Sequence, residues 1–137
     1  MSCYSSIVSI KKFDLLFLII GVFLFCDNIK YMDLTEQKCM ACEGGVTPFN
    51  KVEAEVLLKQ IPGWEISEDG KSIIKNYKFK NFVEALVFVN KVGELAESEG
   101  HHPDIELGWG RVKINLSTHA IDGLSQNDFI LAAKIDA

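Results

Sequence analysis

Basic excess, histidine, proline and long apolar runs are all scarce in this chain. Its 137 residues include three histidines and three prolines, and the net charge is −5. An acidic balance argues against a general phosphate-binding surface, which needs Lys and Arg in excess. No apolar run reaches the roughly 20 residues that span a bilayer as a helix. No Walker loop, GxGxxG, HExxH or GxSxG occurs, so the local patterns for nucleotide cradling, zincin chemistry and a serine nucleophile elbow are missing. No solenoid-type repeat is visible. What remains is 48% hydrophobic and 24% charged residues, a balance that suits one soluble globular domain with a modest core.

Cysteine is informative mainly through what does not accompany it. Cys39 and Cys42 form a CxxC, but no second CxxC follows and the histidines lie far downstream. A thioredoxin-like site needs a strand before the motif and a helix after it; here glycines and Thr47-Pro48 follow instead. The expected reading is an exposed arm with reduced thiols, with an intermolecular zinc site or a disulfide as alternatives. Residues 1–31 stand apart. Lys11 and Lys12 precede the short apolar run Leu15–Cys26. Basic residues before a short apolar core look like a signal segment, yet Phe25 precedes Cys26 where a small residue is wanted. Three segments are expected: 1–31, a hydrophobic extension that is signal-like or a misassigned start; 32–49, a flexible arm with the CxxC; and 50–137, the folded domain.

Within that domain, Asn50 and Glu53 have capping-box spacing. Val52, Val56, Leu57 and Ile61 predict a helix over about 50–60, stopped by Pro62-Gly63. Trp64–Ser67 and Ser72–Phe79 alternate around Glu68-Asp69-Gly70-Lys71, a β-hairpin. Asn81 caps a helix carrying Phe82, Leu86, Val89, Val92 and Ala96 on one stripe. Val83, Val87 and Leu95 widen that face beyond the needs of one sheet, which suggests an oligomer contact. Gly100 ends the helix. Ile105 and Leu107 begin a second hairpin, turned at Gly108–Arg111. Val112, Ile114 and Leu116 then point inward, and Asn115, Ser117 and His119 outward. Asp122-Gly123 makes a turn, and Ser125 with Asp128 opens a last helix. The order α-β-β-α-β-β-α predicts an α+β two-layer fold: a four-stranded antiparallel sheet with three helices on one face.

The three histidines are His101, His102 and His119. Imidazole exchanges protons near neutral pH, so a metal-free acid–base site is the chemistry this set allows. A bend at the helix–strand junction can turn His101 and His102 toward one pocket, and Pro103 holds His102 in extended geometry. Asp128 can orient an imidazole, or it can serve only its helix terminus. A zinc site is disfavoured because adjacent histidines rarely ligate together, and no metal is expected.

Glu97-x-x-x-His101-His102-Pro103, Trp109, Ser117-Thr118-His119 and Asp128 together resemble the pterin-4a-carbinolamine dehydratase family. Cys39-x-x-Cys42-Glu43-Gly44-Gly45, Gly123-Leu124-Ser125 and the segment from Phe129 to Asp136 add to the resemblance, which covers 32–137. It implies a four-stranded antiparallel sheet with three helices on one side. It also implies dehydration of 4a-hydroxytetrahydrobiopterin to quinonoid dihydropterin, a lyase reaction without cofactor that recycles the pterin of aromatic amino acid hydroxylases. His101, His102 and His119 are then the catalytic set, with one of the first two as base, His119 as acid and Asp128 supporting His119. Glu97, Gly100, Ser117, Thr118 and Trp109 are implied to shape the pterin pocket. Gly100 and Ala120 depart from the polar or acidic residues that members often carry there. A homodimer or homotetramer is implied, with an aromatic amino acid hydroxylase as functional partner and no nucleic acid bound. Reduced pterins oxidise readily, so the resemblance also implies a cytoplasmic protein whose functional start is Met32. The alternative is a protein-binding dimerisation or transcriptional cofactor module without catalysis.

Overall fold

The computed structural model describes residues 33–40 and 47–137. The expectations for 1–31, Met32, Cys42 and the Gly44-Gly45 lead-in fall outside the described residues. Helix α1 spans Lys51–Leu58, and α2 spans Phe82–Glu99. Helix α3 spans Gln126–Asp136. The strands are β1 (Glu65–Ile66), β2 (Ile73–Lys78), β3 (Asp104–Gly108) and β4 (Arg111–Leu116). They form one antiparallel sheet in the order β1-β2-β4-β3. This is the expected α+β arrangement in the expected order.

The local signals that start and stop each element act as read. Asn50 accepts hydrogen bonds from the Val52 and Glu53 amides, and Glu53 accepts from the Asn50 amide in return. The Asn81 carboxamide caps α2 through the Glu84 amide. Gly100 closes α2 at φ 65°, donating to Glu97 while the His101 amide donates to Ala96. This is a Schellman pair of bonds, and the left-handed residue at its centre favours glycine.

Cross-strand partners share a face of the sheet. Ile73 pairs with Leu116, Tyr77 with Val112, and Ile105 with Ile114. These side chains face the helices, and Ile73, Val112, Ile114 and Leu116 are fully buried. The alternate residues Asn76, Lys78, Arg111 and Lys113 lie on the face opposite the helices. From the helical layer come Ala54, Ala85, Val92, Phe129, Ile130 and Leu131.

Two helical stripes differ from expectation. In α1 the inward residue is Ala54, followed by Leu57, Leu58 and Ile61, while Val52 and Val56 are exposed. In α2 the inward face is Ala85, Phe88, Val89, Val92 and Ala96. Phe82, Val83, Leu86 and Val87 instead form an exposed apolar surface on its first half. The buried positions are taken mostly by small alanines, and the larger side chains fall on neighbouring faces. Phe88 packs against Tyr77 and Phe79, with ring centroids 4.6 and 5.1 Å apart.

Residues 33–40, expected to be part of a flexible arm, are packed. Leu34 is buried in the core, and Gln126 donates to Gln37 on the arm. The Cys39 amide donates to Glu99, at the end of α2, over 3.0 Å. Glu99 also pairs with Lys134 of α3, and both side chains are mostly shielded from solvent. The Lys134 ammonium, then the Cys39 amide, hold the Glu99 carboxyl below its ordinary value of 4.5.

A carboxyl lowered in this way stabilises the fold above its unfolded value, and that contribution disappears as pH falls through the lowered folded value. Lys134→Met should therefore cost about 1–2 kcal/mol at neutral pH. The deficit relative to the parent should shrink as pH drops from 4.5 toward the value at which folded Glu99 protonates. Thermal melts across that range give the check; an equal deficit at neutral and strongly acidic pH would rule the pair out as its source.

Candidate functional site

The helix–strand junction after Gly100 separates two adjacent imidazoles. His101 turns inward and is 4% exposed; His102 turns outward, with 61% of its side chain exposed. The expectation that the bend aims both at one pocket is thus corrected. Pro103 follows in an extended segment and β3 starts at Asp104, so neighbouring side chains alternate sides.

His101 Nε2 donates to Asp128 Oδ1 over 2.7 Å. Asp128 is fully buried in the first turn of α3. Its other oxygen, Oδ2, accepts from Thr118 Oγ1 at 2.9 Å and from the Ser125 amide at 2.7 Å. Ser125 Oγ lies 2.7 Å from Thr118 Oγ1. The expected capping box between Ser125 and Asp128 is present, yet the carboxylate also reaches beyond it. One carboxylate therefore joins the end of α2, the segment after β4 and the start of α3. Donors converging on a buried carboxylate provide the stabilisation that its desolvation requires.

The expected role of Asp128 at His119 needs correction. Thr118 shares the inward parity of Val112, Ile114 and Leu116, so its hydroxyl faces α3. His119 has the opposite parity and turns away, with 75% of its side chain exposed. Nor does it lie on a strand. β4 ends at Leu116, Thr118 forms an isolated bridge with Gly123, and His119–Ile121 is a 3-10 turn. The turn closes through Asp122 at φ 51°, rather than through a left-handed Gly123. A carbon added at Gly123 would meet Pro48 at 2.6 Å, which is the nearer reason for glycine there.

The exposed imidazoles each have an acidic neighbour. His102 Nε2 is 2.9 Å from Glu97 Oε1, one turn back on α2. His119 Nε2 is 3.9 Å from Asp104 Oδ2. Asp104 lies two residues beyond His102, so both imidazoles flank the start of β3. His119 also lines a cleft of about 300 Å³ with Asn115, Ser117, Thr118, Ser72 and Lys71. Lys71 pairs with Asp122, and this partner raises its pKa and keeps the rim charged.

The structure thus draws Ser117 and Thr118 to His119, and Glu97 to His102. Gly100 contributes the bend between them. It does not bring Trp109 to the histidines within one chain. Trp109 sits exposed at the β3–β4 turn, whereas Asp104 and Asn115 pair at the other end of that hairpin. Asn115 was not singled out from sequence, although its outward parity beside Ser117 marks the same face. Its Oδ1 is buried without a hydrogen-bond partner, an unsatisfied acceptor behind the cleft's wall. Among the described residues, no group of three or more His, Cys, Asp or Glu side chains is arranged to hold a metal ion. None of their helices is long and apolar enough to cross a membrane.

Residues 47–137 match the family model for pterin 4 alpha carbinolamine dehydratase. A Halorhodospira halophila protein named as a candidate pterin-4-alpha-carbinolamine dehydratase is 51% identical over 106 residues, covering 77% of this chain and 97% of that protein. A Rubrobacter xylanophilus protein of the same name is 51% identical over 104 residues, 76% of this chain and 96% of its own. Among solved structures, a transcriptional coactivator/pterin dehydratase from Brucella melitensis superposes with a TM-score of 0.63 at 28% identity. That match covers 66% of this chain and 96% of the Brucella chain.

Proposed function

This chain belongs to the pterin-4-alpha-carbinolamine dehydratase family, and on that premise we propose that it converts 4a-hydroxytetrahydropterin to quinonoid dihydropterin and water. The observation that carries the proposal is the division of labour among the histidines. Buried His101 and Thr118 share Asp128, and the next residue in each case, His102 and His119, offers an exposed imidazole. The buried contacts hold the two backbones from which the exposed imidazoles project. A site on rigid supports loses less catalytic geometry to motion.

In this reading one imidazolium gives a proton to the 4a-hydroxyl, the C4a–O bond breaks, and water leaves. A neutral imidazole takes the N5 proton, and the N5 electron pair completes the N5=C4a double bond. Atoms balance as the loss of one water, and no electrons leave the substrate. Glu97 and Asp104 each lie beside one of these imidazoles and can orient it. Ser117 lines the cleft beside His119 and offers a polar contact to the pterin ring edge, while Thr118 acts through its bond to Asp128. His101, expected among the proton-transfer groups, acts here by position. Recycling of the pterin used by an aromatic amino acid hydroxylase, in the cytoplasm, belongs to the same reading.

The direct test generates the carbinolamine with a pterin-dependent hydroxylase and follows its ultraviolet band. Added protein should speed decay of that band in proportion to its concentration. Decay no faster than the spontaneous rate at micromolar protein would end the proposal.

A second reading is favoured by one feature. Phe82, Val83, Leu86 and Val87 form an exposed apolar surface on α2, of a kind that marks protein contacts. A homodimer, a homotetramer or a protein-binding role without catalysis would use it. Light scattering that finds only monomer at micromolar concentration would remove the oligomer part.

A further inference from the structure

The residues that flank the buried His101–Asp128 contact are themselves tied to the N-terminal arm. Asn127, next to Asp128, accepts from the Met40 amide through Oδ1 at 2.9 Å and donates through Nδ2 to the Met40 carbonyl at 2.7 Å. Glu99, two residues before His101, accepts from the Cys39 amide at 3.0 Å. The Cys39 thiol lies 3.7 Å from the Asn127 carbonyl oxygen. Asn127 is buried, whereas the Met40 side chain is largely exposed. The contacts therefore go through the arm's backbone and not through the Met40 side chain.

We propose that the backbone of Cys39–Met40 is a strap for the site, and that Asn127 is the positioning residue through which it sets the His101–Asp128 contact. A carboxamide that accepts from the N–H and donates to the C=O of one residue fixes both its own rotation and the two peptide groups flanking that residue. Its neighbour Asp128 lies in the same helical turn. Any roll of that turn displaces the carboxylate from His101 and Thr118, and with them the backbones that carry His102 and His119. Glu99 restrains the opposite side of the contact, because the end of α2 leads directly into His101. The same strap bridges α2 and α3, so one short segment restrains both halves of the site.

The kinetic side of the test rests on the dehydratase reading; the spectroscopic side does not. Asn127→Ala is compared with the parent protein and with Met40→Ala, which keeps every backbone contact. Asn127→Ala should lower kcat by about tenfold with KM within about twofold, since small misplacements of proton-transfer groups act on the chemical step. The hydrogen-bonded ring N–H of His101, followed by proton–nitrogen NMR, should shift or exchange faster with solvent. Met40→Ala should leave rate and signal as in the parent. If Asn127→Ala does not fold, Met40→Pro, which removes the amide given to Asn127 and restricts the strap's backbone, is read in the same two ways.

A lower melting temperature with an unchanged His101 signal and unchanged kcat would reduce the arm to an anchor for the fold and overturn the proposal. A parent protein with no dehydratase activity, but a His101 signal that responds to Asn127→Ala, would retain the strap and reject the reaction.

Discussion

His102→Gln and His119→Gln should each lower the dehydration rate by about 10²- to 10⁴-fold, the range typical of a lost general acid or base. Both side chains are mostly exposed, so neither replacement should change stability by more than about 0.5 kcal/mol. A large rate loss at constant melting temperature separates a proton-transfer role from a packing role. The two variants should also differ in pH dependence. The base variant loses the limb of the pH–rate profile that rises with pH; the acid variant loses the limb that falls. The double variant should be little slower than the slower single one, because groups that act on one step are not additive. If both single variants keep the parent rate, the two exposed imidazoles have no part in the chemistry.

Asp128→Ala should have the largest effect on stability, about 3–5 kcal/mol, comparable to breaking a buried charged pair. The alanine leaves His101 Nε2–H, the Thr118 hydroxyl and the Ser125 amide without their acceptor in a fully buried position. Each unsatisfied donor costs about 1–3 kcal/mol, and the helix loses half of its capping box. Asp128→Asn keeps the volume but points an NH₂ at one of the three donors, so it should fall between alanine and the parent. Chemical denaturation measures both. A loss below about 1 kcal/mol for Asp128→Ala would mean that water replaces the carboxylate at no cost, and the buried contact would not brace the site.

The hairpins, the caps and the order of elements are legible in the sequence because each rests on contacts within a few residues. Asn50 with Glu53, Asn81 with Glu84, and Ser125 with Asp128 need no tertiary information. The misphased stripes of α1 and α2 have a common cause. Ala54 and Ala85 carry the weakest apolar signal and are buried, while Val52, Phe82 and Val83 carry strong signals and face outward. In the candidate site, the residue set is legible as a motif, but its wiring is not. Strand parity alone places Thr118 inward and His119 outward; that Asp128 then selects Thr118 and His101 depends on how α3 docks. The contacts of Asp136 with Trp64, Lys75 and Tyr77 are likewise long-range, with no local pattern to announce them. The docked arm was missed for the same reason, since its bonds to Glu99 and Asn127 use backbone amides that any residue supplies.

β4 is bonded on both sides, to β2 and to β3, and its inward residues Val112, Ile114 and Leu116 are fully buried. Amides in such a strand exchange with solvent deuterium only in the rarest openings of the whole domain. The 3-10 turn holding His119 begins within three residues of its end and is exposed. A steep gradient of local opening thus crosses the short stretch from Leu116 to His119. Thr118, held by Asp128, marks where slow exchange should give way to fast.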